Sequence, residues 1–210
     1  WRAGGIGASD VSAVISSPYA MKTARALWMI RSGRKPADDL SRNPFVLRGQ
    51  RLEPYARAAI EQYLESVIGV RDFAIPMCLQ HDEHEFIRVS LDGMLSTGEP
   101  TELKVPSWEN FELVLKEGRN SVLYNRYVPQ VQDQMLCTGA DHGYLAFYRY
   151  LDNKLAVFEI KRDQSFIDML VEKQAWWWDL YKRDEAPPIT PLDFYEPETP
   201  QEQSEWVEIA

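Results

Sequence analysis

The chain has 210 residues, 45% of them hydrophobic and 26% charged, which suits one α/β domain with a sizeable core. No apolar run is long enough to span a bilayer and no signal-peptide pattern opens the chain, which excludes an obvious membrane or secreted protein. The net charge of −9 is unevenly spread: residues 1–51 hold nine Lys/Arg against three Asp/Glu, whereas residues 184–210 hold eight acids and no Lys or Arg. Overall charge therefore does not argue against a polyanionic partner, and the basic N-terminal quarter is a candidate phosphate-facing surface. The two cysteines, Cys78 and Cys137, sit in apolar surroundings and read as buried free thiols of a reducing cytoplasm. The start at Trp1 rather than a methionine suggests a trimmed N-terminus.

In chain order, Gly4-Gly5-Ile6-Gly7-Ala8 reads as a flexible entry, with Ser9 or Asp10 capping a short helix through Ile15. A second helix is expected from about Thr23 to Arg31, ended by the basic loop around Gly33. Leu52, Ala56, Ile60 and Leu64 follow the spacing of an amphipathic helix. Pro54 lies early in it, so this helix either starts there or begins near Phe45 and is kinked. Arg71 to Leu79 reads as a strand and His81 to Glu85 as a polar turn. His81, His84 and Cys78 lack a convincing fourth zinc ligand.

Phe86 to Leu91 reads as a strand, Gly93 and Thr97-Gly98-Glu99-Pro100 as turn residues, and Glu102 to Val105 as the returning strand. A helix is expected from about Val128 to Thr138, with Pro129 in its first turn and Gln130 and Gln134 four apart. Tyr144–Tyr150 and Leu155–Lys161 form a hairpin pattern. A long helix spans about Gln164 to Lys182, and its Trp176-Trp177-Trp178 cluster cannot face one stripe, so at least one indole is exposed. Past Arg183 the composition shifts to Pro, Glu and Gln, a tail unsuited to a core of its own. The expected organisation is one α/β domain over residues 1–183 and an acidic tail over 184–210.

The chemistry concentrates in one hairpin. Alternation along a strand puts Glu102 and Lys104 on one face, and Asp92 at the end of the preceding strand joins them. Two carboxylates are hard oxygen ligands for a cation such as Mg²⁺, and an amine beside them can hold or deprotonate a water. The pattern points to metal-assisted phosphodiester hydrolysis. Two acids and a lysine alone do not separate this reading from a solvated strand-edge ion pair.

Five strings occur in order: Gly5-Ile6-Gly7-Ala8-Ser9-Asp10, Arg48-Gly49-Gln50-Arg51-Leu52-Glu53-Pro54, Ser90-Leu91-Asp92-Gly93, Glu102-Leu103-Lys104 and Val128-Pro129-Gln130-Val131-Gln132-Asp133-Gln134-Met135. Together they resemble the phage lambda exonuclease family, the YqaJ-like viral recombinases, within the restriction-endonuclease-like nuclease superfamily. The resemblance covers about Arg2 to Lys182. It implies an α/β (α+β) restriction-endonuclease-like core, a central mixed β-sheet flanked by helices.

It further implies a processive 5′-to-3′ exonuclease on linear double-stranded DNA, assembled as a homotrimer ring and working with a single-strand annealing protein. The setting would be the bacterial host cytoplasm, with the protein encoded by a phage or prophage. By that resemblance Asp92 and Glu102 are the principal Mg²⁺ ligands, with Mn²⁺ substituting and two metals per site. The Leu103 carbonyl is available to a metal and Glu53 completes a second position. Lys104 orients or deprotonates the attacking water and Gln130 assists there. Arg2, Ser9 and Ser90 fall where the family binds the 5′-terminal phosphate. Leu91 stands where the superfamily often has a proline. Arg25, Arg31, Arg34, Lys35 and Arg42 are candidates for DNA-backbone contacts. Two alternatives share these residues: a structure-specific endonuclease on the same core, and a non-catalytic DNA-end-binding recombination scaffold.

Overall fold

The structure is a computed structural model that describes residues 1, 4–37, 39–69, 73–74 and 76–194. Its strands are β1 (Ile6–Gly7), β2 (Phe73–Ala74), β3 (Met77–Gln80), β4 (Ile87–Leu91), β5 (Gly93–Leu95), β6 (Pro100–Lys104), β7 (His142–Arg149) and β8 (Lys154–Lys161). Its helices are α1 (Val11–Val14), α2 (Ala24–Arg31), α3 (Pro44–Ile68), α4 (Trp108–Glu117), α5 (Val122–Thr138) and α6 (Gln164–Lys182). Five strands form a mixed sheet in the order β2-β5-β6-β7-β8, in which β6 and β7 are parallel and the other neighbours antiparallel. A smaller sheet, β1-β4-β3, adjoins it. This is the expected mixed sheet flanked by helices.

β7 explains the layering. Tyr144 and Ala146 pack with Ile60 and Leu64 of α3 on one face, whereas Leu145 and Phe147 pack with Phe111 of α4 and Val131 and Met135 of α5 on the other. Alternation along the strand thus feeds two cores, and a strand covered on both faces has no polar side to show. A third core gathers Ile6, Val14, Leu27, Trp28 and Trp177, joining α1, α2 and α6.

Local chemistry accounts for the helix ends. Thr23 accepts from the Ala26 N–H to cap α2, Ser107 from Asn110 to cap α4, Ser121 from Tyr124 to cap α5, and Asp163 from Phe166 to cap α6. Asn43 caps α3 with Pro44 in its first turn, which settles the start of that helix before Phe45 and leaves Pro54 inside it. Asp10 stands at the start of α1 without a side-chain cap bond, because its carboxylate faces Arg31 and Lys22 at 3.6 and 3.7 Å.

Several expectations are corrected. The 71–79 strand is two short strands on different sheets, with 71, 72 and 75 outside the described residues. Gly93 opens β5 instead of forming a turn, because the chain bends at Asp92 and continues into the larger sheet. α5 begins at Val122, six residues earlier than expected, so Pro129 lies in its interior. Helix α4 was not anticipated, although Ser107 followed by Phe111 and Val114 is a cap followed by an apolar stripe.

Cys78 is exposed, not buried, since burial alternates along β3 and this side chain faces out. The Gly4-Gly5 entry is close-packed: a Cβ on Gly5 would stand 2.6 Å from the Phe86 carbonyl oxygen. Of the three tryptophans, Trp177 is fully buried and donates to the Ala24 carbonyl at 2.9 Å, while Trp176 is exposed. The acidic segment starts by docking on α2, through Arg34–Asp184, Arg25 to the Pro187 carbonyl and Thr23–Asp193. The expected tail from 195 onward lies outside the described residues.

Candidate active site

The β5–β6 ladder pairs Gly93 with Thr101 and goes no further, because the chain bends away at Asp92. The Leu103 N–H, two residues along β6, is left facing that gap. Asp92 fills it: Leu103 N donates to Oδ2 at 2.8 Å. The carboxylate is therefore held by the sheet itself, at the seam between the two sheets.

Glu102 and Lys104 leave the face of β6 opposite Leu103, toward α5. Glu102 is 2% exposed. Its Oε1 lies 2.5 Å from Lys104 Nζ, and its Oε2 accepts from Gln134 Nε2 at 2.6 Å. The same Gln134 amide reaches the Ser90 carbonyl at 3.2 Å, tying β4, β6 and α5 together. Lys104 Nζ also stands 4.5 Å over the Tyr127 ring. From α3, Arg57 bridges two parts of the site: one nitrogen donates to the Asp92 carbonyl and the other meets Glu53 Oε1 at 3.0 Å.

A cleft of about 290 Å³ opens over this constellation, and Arg48, Gly49, Glu53, Asp92, Lys104 and Tyr127 are among its walls. Gly49 is helical, where glycine costs about 1 kcal/mol relative to alanine. A Cβ there would meet no protein atom within 4 Å, so its absence keeps that wall bare without serving internal packing.

Electrostatics follow from this geometry. Burial, then the charge of Glu102, pushes the Asp92 carboxyl up to about 6, against the pull of Lys104, the Leu103 N–H and Arg57. Burial alone would lower the Lys104 ammonium, but Glu102 foremost, then Tyr127 and Asp92, raises it above the ordinary lysine value. Lys104 is thus a cation held against Glu102, a donor with no lone pair to accept a proton.

Among the described residues, no three His, Cys, Asp or Glu side chains converge as a metal-holding group. Glu53 is turned to Arg57, and Glu102 to Lys104 and Gln134. The donor set nevertheless fits a hard divalent cation. Mg²⁺ commonly takes one or two protein carboxylates and completes its shell with waters and substrate phosphate. Asp92 and Glu102 are adjacent carboxylates whose mutual repulsion a cation would relieve. Glu53 lines the same cleft, and Leu103 leaves its carbonyl on the strand edge from which its N–H reaches Asp92.

The other expected site residues are distributed around this centre. Gln130 is buried on α5, one turn before Gln134, and among the described residues its amide has no hydrogen-bond partner. Ser9 is exposed in a 3₁₀ turn that packs on β4. β1 pairs with β4 as Ile6–Ile87 and Gly7–Arg88 and ends there, before Ser9. Arg2 lies outside the described residues. Of the basic residues, Arg25, Arg31 and Arg34 are engaged within the chain, with the Pro187 carbonyl, the Gly5 carbonyl and Asp184. Arg48, Arg57 and Tyr127 were not singled out from the sequence. Glu53 and Arg57 are four apart on one helix, a spacing that signals such a pair.

A family model described as the YqaJ-like viral recombinase domain matches residues 1–141. The protein YqaJ of Bacillus subtilis (strain 168), described as uncharacterized, is 28% identical over 180 residues, which cover 85% of this chain. The chain spans about half of that relative, 53% of its length. Among solved structures, the alkaline exonuclease LHK-Exo of Laribacter hongkongensis is similar with a TM-score of 0.68 at 24% identity, over 87% of this chain and 90% of that one. A phage-related exonuclease from Haemophilus somnus 129PT gives a TM-score of 0.65 at 15% identity, over 85% and 94% of the two chains. At these identities the structural likeness speaks for the fold.

Proposed function

The chain belongs to the YqaJ-like viral recombinase family, and from that premise and the chemistry of the cleft we propose that it is a Mg²⁺-dependent nuclease that degrades linear double-stranded DNA from 5′ to 3′. The observation that carries this reading is the meeting of Asp92 and Lys104 at one cleft, with Glu102 buried against Lys104 beneath it. Asp92, Glu102, the Leu103 carbonyl and Glu53 would hold the cation or cations, Mg²⁺ with Mn²⁺ substituting, two per site. Bound there, the metal supplies Lewis-acid stabilisation of charge on the attacking and leaving oxygens.

The chain's own residues account for the rest. Gln134 and Lys104 hold Glu102 in one orientation from two sides. Lys104, kept cationic, orients a water and stabilises negative charge on the phosphoryl oxygens; proton removal falls to another base. Gln130, buried on α5 one turn before Gln134, assists at the water or at the scissile phosphate. Ser9 and Ser90, with Arg2, bind the 5′-terminal phosphate by charge-assisted hydrogen bonds and so set polarity. The product is a 3′ single strand for a partner annealing protein, and a ring of three subunits around the DNA makes digestion processive by topology.

The test is a gel assay on linear duplex labelled at either the 5′ or the 3′ end, with and without Mg²⁺. Metal-dependent early loss of the 5′ label is expected. Cutting of covalently closed circles would replace the exonuclease by an endonuclease on the same core. Binding of ends with no hydrolysis under any divalent cation would leave the non-catalytic scaffold.

A further inference from the structure

A second depression, of about 470 Å³, lies beside the cleft and has no part in the chemistry above. Arg48, Arg51, Tyr55, Trp108, Arg149 and Tyr150 shape it. Arg48 belongs to both cavities, and Ser107 of the cleft is bonded directly to Trp108 of this one. The two are therefore continuous along the first turns of α3 and α4.

Its walls combine exposed aromatic faces with cations. Tyr55 is 54% exposed, Tyr150 47% and Trp108 45%, a concentration of large apolar side chains that a surface ordinarily avoids. They are held in place. Tyr55 and Tyr150 meet edge to face at 5.2 Å, and the Arg149 guanidinium lies 3.8 Å from the centre of the Trp108 ring. Arg149 is itself buried and matched by Glu112 and Asp152, so it braces the indole and has no charge to spare for a ligand. Arg51 is exposed, and Arg48 donates to the Pro106 carbonyl at 3.0 Å. Among the described residues neither Arg48 nor Arg51 has a carboxylate partner.

We propose that this depression is a subsite for one unstacked nucleotide of single-stranded DNA beside the cleft, its base against Trp108 and Tyr150 and its phosphate at Arg48 and Arg51. The inference deepens the nuclease reading and rests on it for the choice of DNA. Base faces are open to aromatic side chains only when a strand is unpaired and unstacked, because a duplex offers edges and phosphates. Rigid aromatic rings beside unmatched guanidinium groups are the chemistry that binds such a strand with little regard to sequence. A purely apolar partner would leave two cations buried without counter-charge.

The experiment measures binding of a short labelled oligothymidylate by fluorescence anisotropy in EDTA, so that no hydrolysis is needed. Tyr150→Ala and Arg51→Gln are compared with the unaltered chain. Each should weaken oligothymidylate binding roughly tenfold, as loss of one stacked base or one phosphate contact does, with an unchanged unfolding midpoint. The Arg51 variant should also show a shallower salt dependence. Wild-type affinity in both variants would overturn the proposal. So would a change in particle mass by light scattering with oligothymidylate binding intact, which would assign the face to contact between copies of the chain. Competition by free thymidine monophosphate as effective as by the oligonucleotide would also overturn it, pointing to a mononucleotide site. Failure of the nuclease reading is seen elsewhere, in an unaltered chain that leaves linear duplex intact under every divalent cation.

Discussion

Helix α5 carries two polar clusters that differ in one respect. Gln134 reaches Glu102, whose carboxylate is shared with Lys104 at the edge of an open cleft. Asp133, its neighbour, is fully buried and among the described residues accepts only from Gln174 of α6 at 2.7 Å, with its second oxygen unmatched. In the first cluster a lysine that lines the cleft stands against the buried acid. In the second no cation is paired with the acid among the described residues, and burial pushes the Asp133 carboxyl up to about 7, against the lowering effect of the Gln174 bond. The two buried acids beside this helix thus differ: Glu102 of β6 has Lys104 against it, whereas Asp133 of α5 is driven toward the neutral form.

The sharpest way to break that contrast is to remove the cation. Lys104→Ala should reduce hydrolysis of linear duplex by roughly 10²- to 10⁴-fold, the range of a lost proton-transfer or charge-stabilising group. Initial rates on end-labelled DNA read this out. The same change strands Glu102 without its counter-ion, so a fall of about 3–5 kcal/mol in unfolding free energy is expected unless the carboxyl takes up a proton. Wild-type turnover by a folded variant would remove Lys104 from the site.

Asp133→Asn tests the other cluster, and here the sign is fixed by linkage. The folded-state value, about 7, lies above the ordinary 3.8, so the folded chain holds this proton more tightly. Its contribution to stability is full below pH 3.8 and is lost as pH rises through 7. The slope within that window approaches about 1.4 kcal/mol per pH unit. In urea unfolding at pH 5 and pH 8, the Asn variant should show a flatter profile and gain relative to the parent at the higher pH. A slope unaltered by the substitution would mean that another group carries it.

Smaller effects should separate the two glutamines. Gln134→Ala removes a hydrogen bond to a charged carboxylate, worth about 1.5–3 kcal/mol, and should lower activity along with stability. Gln174→Ala costs a similar amount in stability and should leave the hydrolysis rate of the remaining folded protein unchanged. Equal losses of activity in both would erase the distinction between cleft and interior. Smallest of all, replacing a 5′-phosphate by a 5′-hydroxyl should slow initiation without changing later steps. Equal rates on the two ends would count against Ser9 and Ser90 as its binders.

Local chemistry was legible where one element decides it. α6 runs from Gln164 to Lys182 as its periodicity implied, and α2 begins after Thr23 because that hydroxyl caps it. β7 and β8 meet at the anticipated turn, where Asn153 adopts a left-handed conformation with φ 52°. Boundaries that depend on partners were not legible. Gly93 looks like a turn residue in isolation and is a strand residue because β6 lies beside it. Cys78 looks buried and is exposed because burial alternates along β3, Met77 and Leu79 packing inward and Cys78 facing out.

Strand parity was enough to bring Glu102 and Lys104 together on paper. Alternation on one short strand sets Glu102 and Lys104 on a common face whatever surrounds them, and Asp92 follows from the preceding strand. Only the tertiary structure decided what these groups are. The bend at Asp92 frees the Leu103 N–H that holds its carboxylate. α5 brings Gln134 and Tyr127 over Glu102 and Lys104. The packing of α3 and α4 against β7 gathers residues 48, 51, 108 and 150 into one depression, though they lie far apart in the chain. Residue type and strand parity are local and survive in a string of letters. Desolvation, charge balance and the joining of remote surfaces exist only once the chain has closed on itself.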